Sequence, residues 1–229
     1  MSTSNQQIVD EQQVLILAGN VKLEGDLVIP QGATGIVLFA HGSGSSRHSS
    51  RNRLVAERLQ KTGLATLLFD LLTLQEEQVD VITREHRFDI DLLTRRLADA
   101  TDWLCQQPQA SQLAIGYFGA STGAAAALRA AAELPDKVSA VVSRGGRPDL
   151  AMDALARVKA PTLLIVGGRD TQVIELNRQA QAQLEALNSL EIVPGATHLF
   201  EEPGTLEQVA GLATNWFVKN LHPTSSLAP

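Results

Sequence analysis

The sequence predicts one doubly wound α/β domain on a mostly parallel sheet, and three observations carry that expectation. Segments 35–42, 64–70, 113–119, 138–144 and 161–168 are short, continuous apolar runs, "GIVLFAHG" and "PTLLIVGG" among them. Runs without polar alternation suit strands covered on both faces, as in a parallel sheet. Stretches with helical spacing separate most of these runs, so strand and helix alternate along the chain. The third observation is the start, where "QVLILAGNVKLEGDLVIP" alternates around Gly19-Asn20 and predicts an antiparallel N-terminal hairpin.

The elements follow in order. After strand 35–40, "RNRLVAERLQKTG" places Leu54, Val55 and Leu59 at helical spacing, with Gly63 as a stop. Strand 64–70 leads into "LLTLQEEQVDVITREHRFD", whose residues 75–89 read as an acidic loop. Helix 90–107, strand 113–119, an alanine-rich helix 122–134 and strand 138–144 come next. Strand 161–168, helix 173–187, short strand 190–194 and helix 205–221 complete the alternation. The stretch between strands 138–144 and 161–168 is too short to hold a helical cap domain. One domain over residues 12–222 is expected, with loose tails at 1–11 and 223–229.

Composition narrows the function classes. Hydrophobic residues make up 44% of the 229 and charged residues 19%, the balance of a soluble protein with a full core. A net charge of -6 disfavours nucleic acid or an anionic membrane as partner. The one cysteine, Cys105, precludes an intramolecular disulfide, suits a reducing compartment and reads as a buried structural thiol. The start "MSTSNQQIVDEQQ" has neither a basic opening nor a long apolar run, so a signal peptide is not expected. Nothing approaches the ~20 apolar residues of a membrane span, and a cytoplasmic setting follows. His48, His86 and His222 are scattered without metal-ligand spacing, so neither a metal nor a cofactor is expected. "HGSGSS" (42–46 after His41) lacks the lysine of a phosphate-cradling loop.

In an open parallel sheet, ligands bind beyond the carboxyl ends of the strands. Four loops there stand out: "HGSGSS" after strand 35–40, "GASTG" after 113–118, "GGRD" after 161–166 and "GATH" after 190–194. Three of them supply Ser121, Asp170 and His198, in that chain order. Each alone has a plain alternative: a serine helix cap, an aspartate opening the helix at 173, a surface-loop histidine. Falling together at successive strand ends, they read as a nucleophile, an orienting carboxylate and a base. A serine hydroxyl attacks well only when a base takes its proton, and His198 would be that base. Asp170 would fix its tautomer and stabilise the imidazolium that forms.

With Gly119-Ala-Ser-Thr-Gly123 as a G-x-S-x-G elbow, the chain from about residue 12 to 221 resembles the α/β-hydrolase superfamily. Within it, the chain is most similar to the small, cap-less dienelactone-hydrolase-like group. That resemblance implies an oxyanion hole made by Thr122 N–H and an N–H of "HGSG", taken as Ser43. Losing one such donor typically costs roughly 3–4 kcal/mol of transition-state stabilisation. His41 is expected to shape that loop rather than to titrate. The chain departs from the group at one point: dienelactone hydrolases carry a cysteine nucleophile, where Ser121 stands here. Cys105, on another helix, cannot replace it. The departure favours carboxylic ester hydrolysis through an acyl-enzyme, on small or short-chain esters and lactones, and it excludes the aspartate-nucleophile relatives.

Arginines surround the expected site. Arg144 and Arg147 follow strand 138–143, Arg47, Arg51 and Arg53 follow the oxyanion loop, and Arg169 precedes Asp170. Arg144 is the candidate for holding a substrate carboxylate. The alternative is that these arginines pair with 75–89 and order it. A small-molecule ester or lactone is the expected partner. Dienelactone-type lactone hydrolysis, acyl transfer, peptidase activity and a non-catalytic binding role remain alternatives, and the oligomeric state is not legible.

Overall fold

The computed structural model describes residues 9–222, across which the apolar runs become the middle of an eight-stranded sheet. Its strands are β1 (Val9–Ala18), β2 (Val21–Pro30), β3 (Gly35–Ala40), β4 (Ala65–Phe69), β5 (Ala114–Ala120), β6 (Val138–Arg144), β7 (Thr162–Gly167) and β8 (Asn188–Val193). They lie in the order β1-β2-β4-β3-β5-β6-β7-β8. The first hairpin turns at Gly19-Asn20 and is antiparallel, as is β2 against β4. The remaining pairings are parallel. β1 takes in residues 9–11, which the sequence alone had assigned to the tail. The rest of the expected N-terminal tail, 1–8, and the C-terminal tail, 223–229, lie outside the described residues.

Six α-helices lie among those residues: α1 (Ser50–Gln60), α2 (Leu74–Thr83), α3 (Ile90–Cys105), α4 (Thr122–Glu133), α5 (Thr171–Gln183) and α6 (Thr205–Asn220). Strands β3, β4, β5 and β7 are buried along their whole length, which is why their sequences show no alternation. On one face α1 and α6 pack Val55, Leu59, Val209 and Phe217 against Phe39 and Phe118, whose ring centroids are 5.0 Å apart. On the other face α3, α4 and α5 cover Leu38, Tyr117 and Leu164. Each such aliphatic or aromatic side chain contributes roughly 1.5–3 kcal/mol by leaving water. Tyr117 shares a 2.6 Å hydrogen bond with Thr101, and burial pushes its phenol well above the usual range.

Two expectations are corrected. Residues 75–89 are not simply a loop, because α2 occupies 74–83. Its start is a capping box: Thr73 accepts from Glu76 N–H, and the Glu76 carboxylate accepts from Thr73 N–H at 2.7 Å. Cys105 is exposed rather than buried. The inward stripe of α3 runs through Leu93, Leu97, Ala100 and Leu104, and Cys105 falls one residue past it on the outer side.

The topology fixes where a ligand can bind. β3 and β5 are neighbours in the sheet, although β4 lies between them in sequence. From β3 the chain leaves through α1 toward β4 on one side, and from β5 through α4 toward β6 on the other. The crevice at such a switch point is the binding place of open α/β sheets. Both "HGSG" and "GASTG" open into it.

Candidate active site

Ser121 sits between β5 and α4 with φ 50° and ψ -119°, a left-handed conformation rare for a residue with a side chain. Its surroundings force that turn. A Cβ on Gly119 would collide with the Ala124 backbone, and one on Gly123 with the carbonyl oxygens of Ala40 and His41. Only glycine lets β5, β3 and α4 approach so closely. Ten buried residues, mostly alanine, then seat α4 against the sheet. Ser121 makes no side-chain capping bond to α4, so helix capping does not account for its hydroxyl.

Asp170 and His198 are brought together by the lacing of two loops. Gly168 N–H donates to Val193 O at 2.8 Å and Arg169 N–H to Ala196 O at 2.9 Å. Gly167 has no room for a Cβ, because the Ala196 and Thr197 carbonyls stand 2.5 Å from where it would be. Asp170 occupies the cap position of α5 without capping it. Its Oδ2 instead accepts from His198 Nδ1 at 2.6 Å. That bond puts the Nδ1 proton toward the carboxylate and leaves Nε2 to exchange a proton with another group. Gly145 lies beside His198 at φ 52°, a backbone conformation that favours glycine, and a methyl there would stand 3.2 Å from the His198 carbonyl oxygen. The loop beyond is held by Thr197 N–H donating to the Glu202 carboxylate at 3.0 Å, a bond that lowers the Glu202 pKa. Buried Phe200, at φ 56°, completes it.

The oxyanion loop faces Ser121 from β3. Gly42 is close enough that a Cβ on it would lie 3.2 Å from Ser121 Cβ. Neither Ser43 N–H nor Thr122 N–H is engaged by another group among the described residues. Both residues line a cleft with His41, Leu71, Val81 and Arg87. His41 is 7% exposed. Its Nε2 accepts from Leu71 N–H at 3.0 Å, which leaves the proton on Nδ1 to donate to Gly42 O at 3.0 Å. Burial pushes its pKa down, so it stays neutral and pins the loop to the end of β4, as the sequence suggested.

Across the cleft, α2 supplies a wall that sequence reasoning missed. Buried Asp80 accepts from the backbone N–H groups of His86 and Arg87, each at 2.9 Å, and from Arg87 Nε at 2.6 Å. Burial alone would raise its carboxyl, but those bonds outweigh it and hold it below the usual range. The sequence signal for this wall was the T-x-x-E capping box at Thr73.

The arginines do not meet residues 75–89 as the alternative proposed. Arg47 pairs with Asp70 and Glu24, Arg53 with Asp26, Arg51 with Glu201 and Arg147 with Asp149. Arg144 lies at the end of β6 beside β5, the strand that leads into Ser121, and its carbonyl accepts from Ser121 N–H at 3.2 Å.

Known proteins match this arrangement. The model of the dienelactone hydrolase family matches residues 23–216. A crystal structure of a dienelactone hydrolase from Anabaena variabilis shares 63% identity with a TM-score of 0.92, covering 93% of this chain and 99% of that one. A Pyrococcus furiosus esterase superposes with a TM-score of 0.76 over 93% of this chain and 92% of its own, at 21% identity, which speaks for the fold alone. A Mycobacterium tuberculosis protein named provisionally as a phosphoribosyl transferase is 61% identical over 211 residues, or 92% of this chain. The match takes in 47% of that protein, so the chain spans about half the length of the curated relative.

Proposed function

Because the chain belongs to the dienelactone hydrolase family, we propose that it is a serine hydrolase cleaving small carboxylic esters or lactones through an acyl-enzyme. The observation that carries the reading is the 2.6 Å bond between His198 Nδ1 and Asp170, at the sheet end where Ser121 is held in its strained elbow. Ser121 Oγ attacks the ester carbonyl as His198 Nε2 takes its proton, and His198 returns that proton to the departing alcohol. Thr122 and Ser43 N–H groups receive the carbonyl oxygen as it becomes an oxyanion. Water, activated by His198, then frees the acid and restores Ser121. Asp170 keeps the imidazole oriented throughout.

A serine in the elbow supports ester hydrolysis over strict dienelactone specificity. The phosphoribosyl transferase name belongs to a protein of which this chain matches 47%, and no feature of the site favours that chemistry. A single cysteine fits the cytoplasmic setting expected from the sequence. No described helix is long and apolar enough to cross a membrane.

The test is covalent. A fluorophosphonate probe should label the wild-type protein, and Ser121→Ala should lose both labelling and ester turnover, the latter by roughly 10⁵–10⁶-fold. Full activity in that variant would sink the proposal. Absence of labelling together with no turnover on a panel of esters, lactones and amides would favour a binding role.

A further inference from the structure

Arg144 is 7% exposed, and among the described residues it pairs with no carboxylate. Its Nη2 reaches Asn52 Oδ1 at 3.5 Å, its Nε has no partner, and its Cζ lies 5.9 Å from the Phe200 ring centroid. Burial first and the repulsion of a second cation, Arg51, next push its pKa down to about 10. Burying an unpaired cation costs several kcal/mol, and a cation–π contact returns only about 0.5–2. Arg51 is little better satisfied. Its Nε is also unpartnered, and its Nη1 meets Glu201, whose side chain is 64% exposed, at 3.5 Å. A pair so exposed contributes about 0–1 kcal/mol. Arg51 and Asn52 belong to the first turn of α1, which holds no acidic residue, and Arg144 reaches that turn through Asn52 Oδ1. The positive end of a helix dipole therefore adds to two cations whose one counter-charge among the described residues is the exposed Glu201.

We propose that Arg51, Arg144 and the first turn of α1 form a subsite for a phosphate group carried by the ester substrate. The proposal rests on the serine-esterase reading above and names its substrate class. Two cations and a helix end match a phosphate dianion, whose three terminal oxygens accept from several directions. A single carboxylate offers two oxygens, fewer acceptors than the two guanidinium groups and the helix end have donors to fill. Ser121 N–H bonds to the Arg144 carbonyl, which makes the two residues backbone neighbours. The proposed role of the phosphate is to tether the substrate on the side chain of that neighbour while the acyl carbonyl is attacked. The phosphate itself is not transferred.

Three 4-nitrophenyl esters with acyl chains of equal length, ending in methyl, carboxylate or phosphonate, test this. The phosphonate ester should exceed both others in kcat/KM by tenfold or more, and Arg144→Gln should reduce the phosphonate-to-methyl ratio at least tenfold. Arg51→Gln, at a partly exposed position, should lower the same ratio if the buried substitution does not fold. Equal turnover of the three esters, a preference for the carboxylate, or an unchanged ratio in the folded variants overturns the proposal. Calorimetric binding of inorganic phosphate to wild type and Arg51→Gln separates the two readings. Phosphate binding that the variant loses, in a protein that turns over no ester, keeps the subsite and removes the esterase. Ester turnover without phosphate binding does the reverse.

Discussion

On the flank of Ser121 toward β4 and α2, the charged groups that shape the cleft are tied down. Arg47 is bound to Asp70, Asp80 collects two backbone N–H groups and the Arg87 guanidinium, and His41 bridges Leu71 and Gly42 in its neutral form. On the flank toward β6 and α1, Arg144 is as deeply buried as His41 and, among the described residues, finds only Asn52 and an aromatic face. Arg147, three residues on, grips Asp149 with a fork of 2.7 and 2.8 Å. Where hydrogen-bonding capacity is used up internally, a charged residue holds the fold in place. Where it is left over, the residue retains capacity for a ligand.

Three substitutions press on that contrast. Asp80→Ala should have the largest effect, because it strands Arg87 and two N–H groups behind the cleft wall. A loss of about 3–5 kcal/mol is expected, read as a lower urea midpoint. The wild type should show the same dependence with acid. The folded Asp80 carboxyl is held low, so its contribution is complete above the unfolded value near ~3.9 and disappears as pH falls through the folded one. His41→Ala comes next. Leaving Leu71 N–H unpaired should cost about 1–3 kcal/mol, and a loosened oxyanion loop should lower kcat by roughly 10²-fold. With its folded pKa depressed, His41 makes the wild type lose stability as pH drops below ~6.5, and thermal melts between pH 7 and 5 should show that slope disappear in the variant. Arg147→Ala should matter least, within about 1 kcal/mol by the same melts, since its partner pair is partly exposed. A large loss there would mean that satisfied charges on this side also serve the site.

How far the sequence could be read depended on how locally each feature is encoded. Ser121, Asp170 and His198 were legible as candidates because each follows a strand, and strand ends of a parallel sheet share one edge; the runs before Ser121 and Asp170 are continuously apolar, whereas β8 before His198 is only partly buried. The hairpin at Gly19-Asn20 was legible from alternation. The helix at 74–83 was missed because its apolar residues face outward, with Val81 68% and Ile82 84% exposed, so no buried stripe marked it. Cys105 misled for the related reason that one residue of helix rotation separates inside from outside. The isolation of Arg144 was out of reach, since it depends on which of many nearby acids approach a buried group. Equally, nothing local announces Phe200 at positive φ; the lacing of two distant loops imposes it.

The tight seating of α4 also bears on how such a protein could be remade. Its buried face is nearly all alanine, and the Cβ space of Gly119 and Gly123 is already taken by backbone from α4 and β3. A library that enlarges any of these positions would move Ser121 itself, so the shape of the elbow and the proposed chemistry cannot be varied separately there. The rim formed by α2 has no such restriction. Leu74, Val79, Val81 and Ile82 are exposed, and Val81 lines the cleft, so changing it alters what meets the cleft without touching the elbow. New substrate ranges should therefore arise from 74–83, with 119–132 left as the fixed frame on which they are displayed.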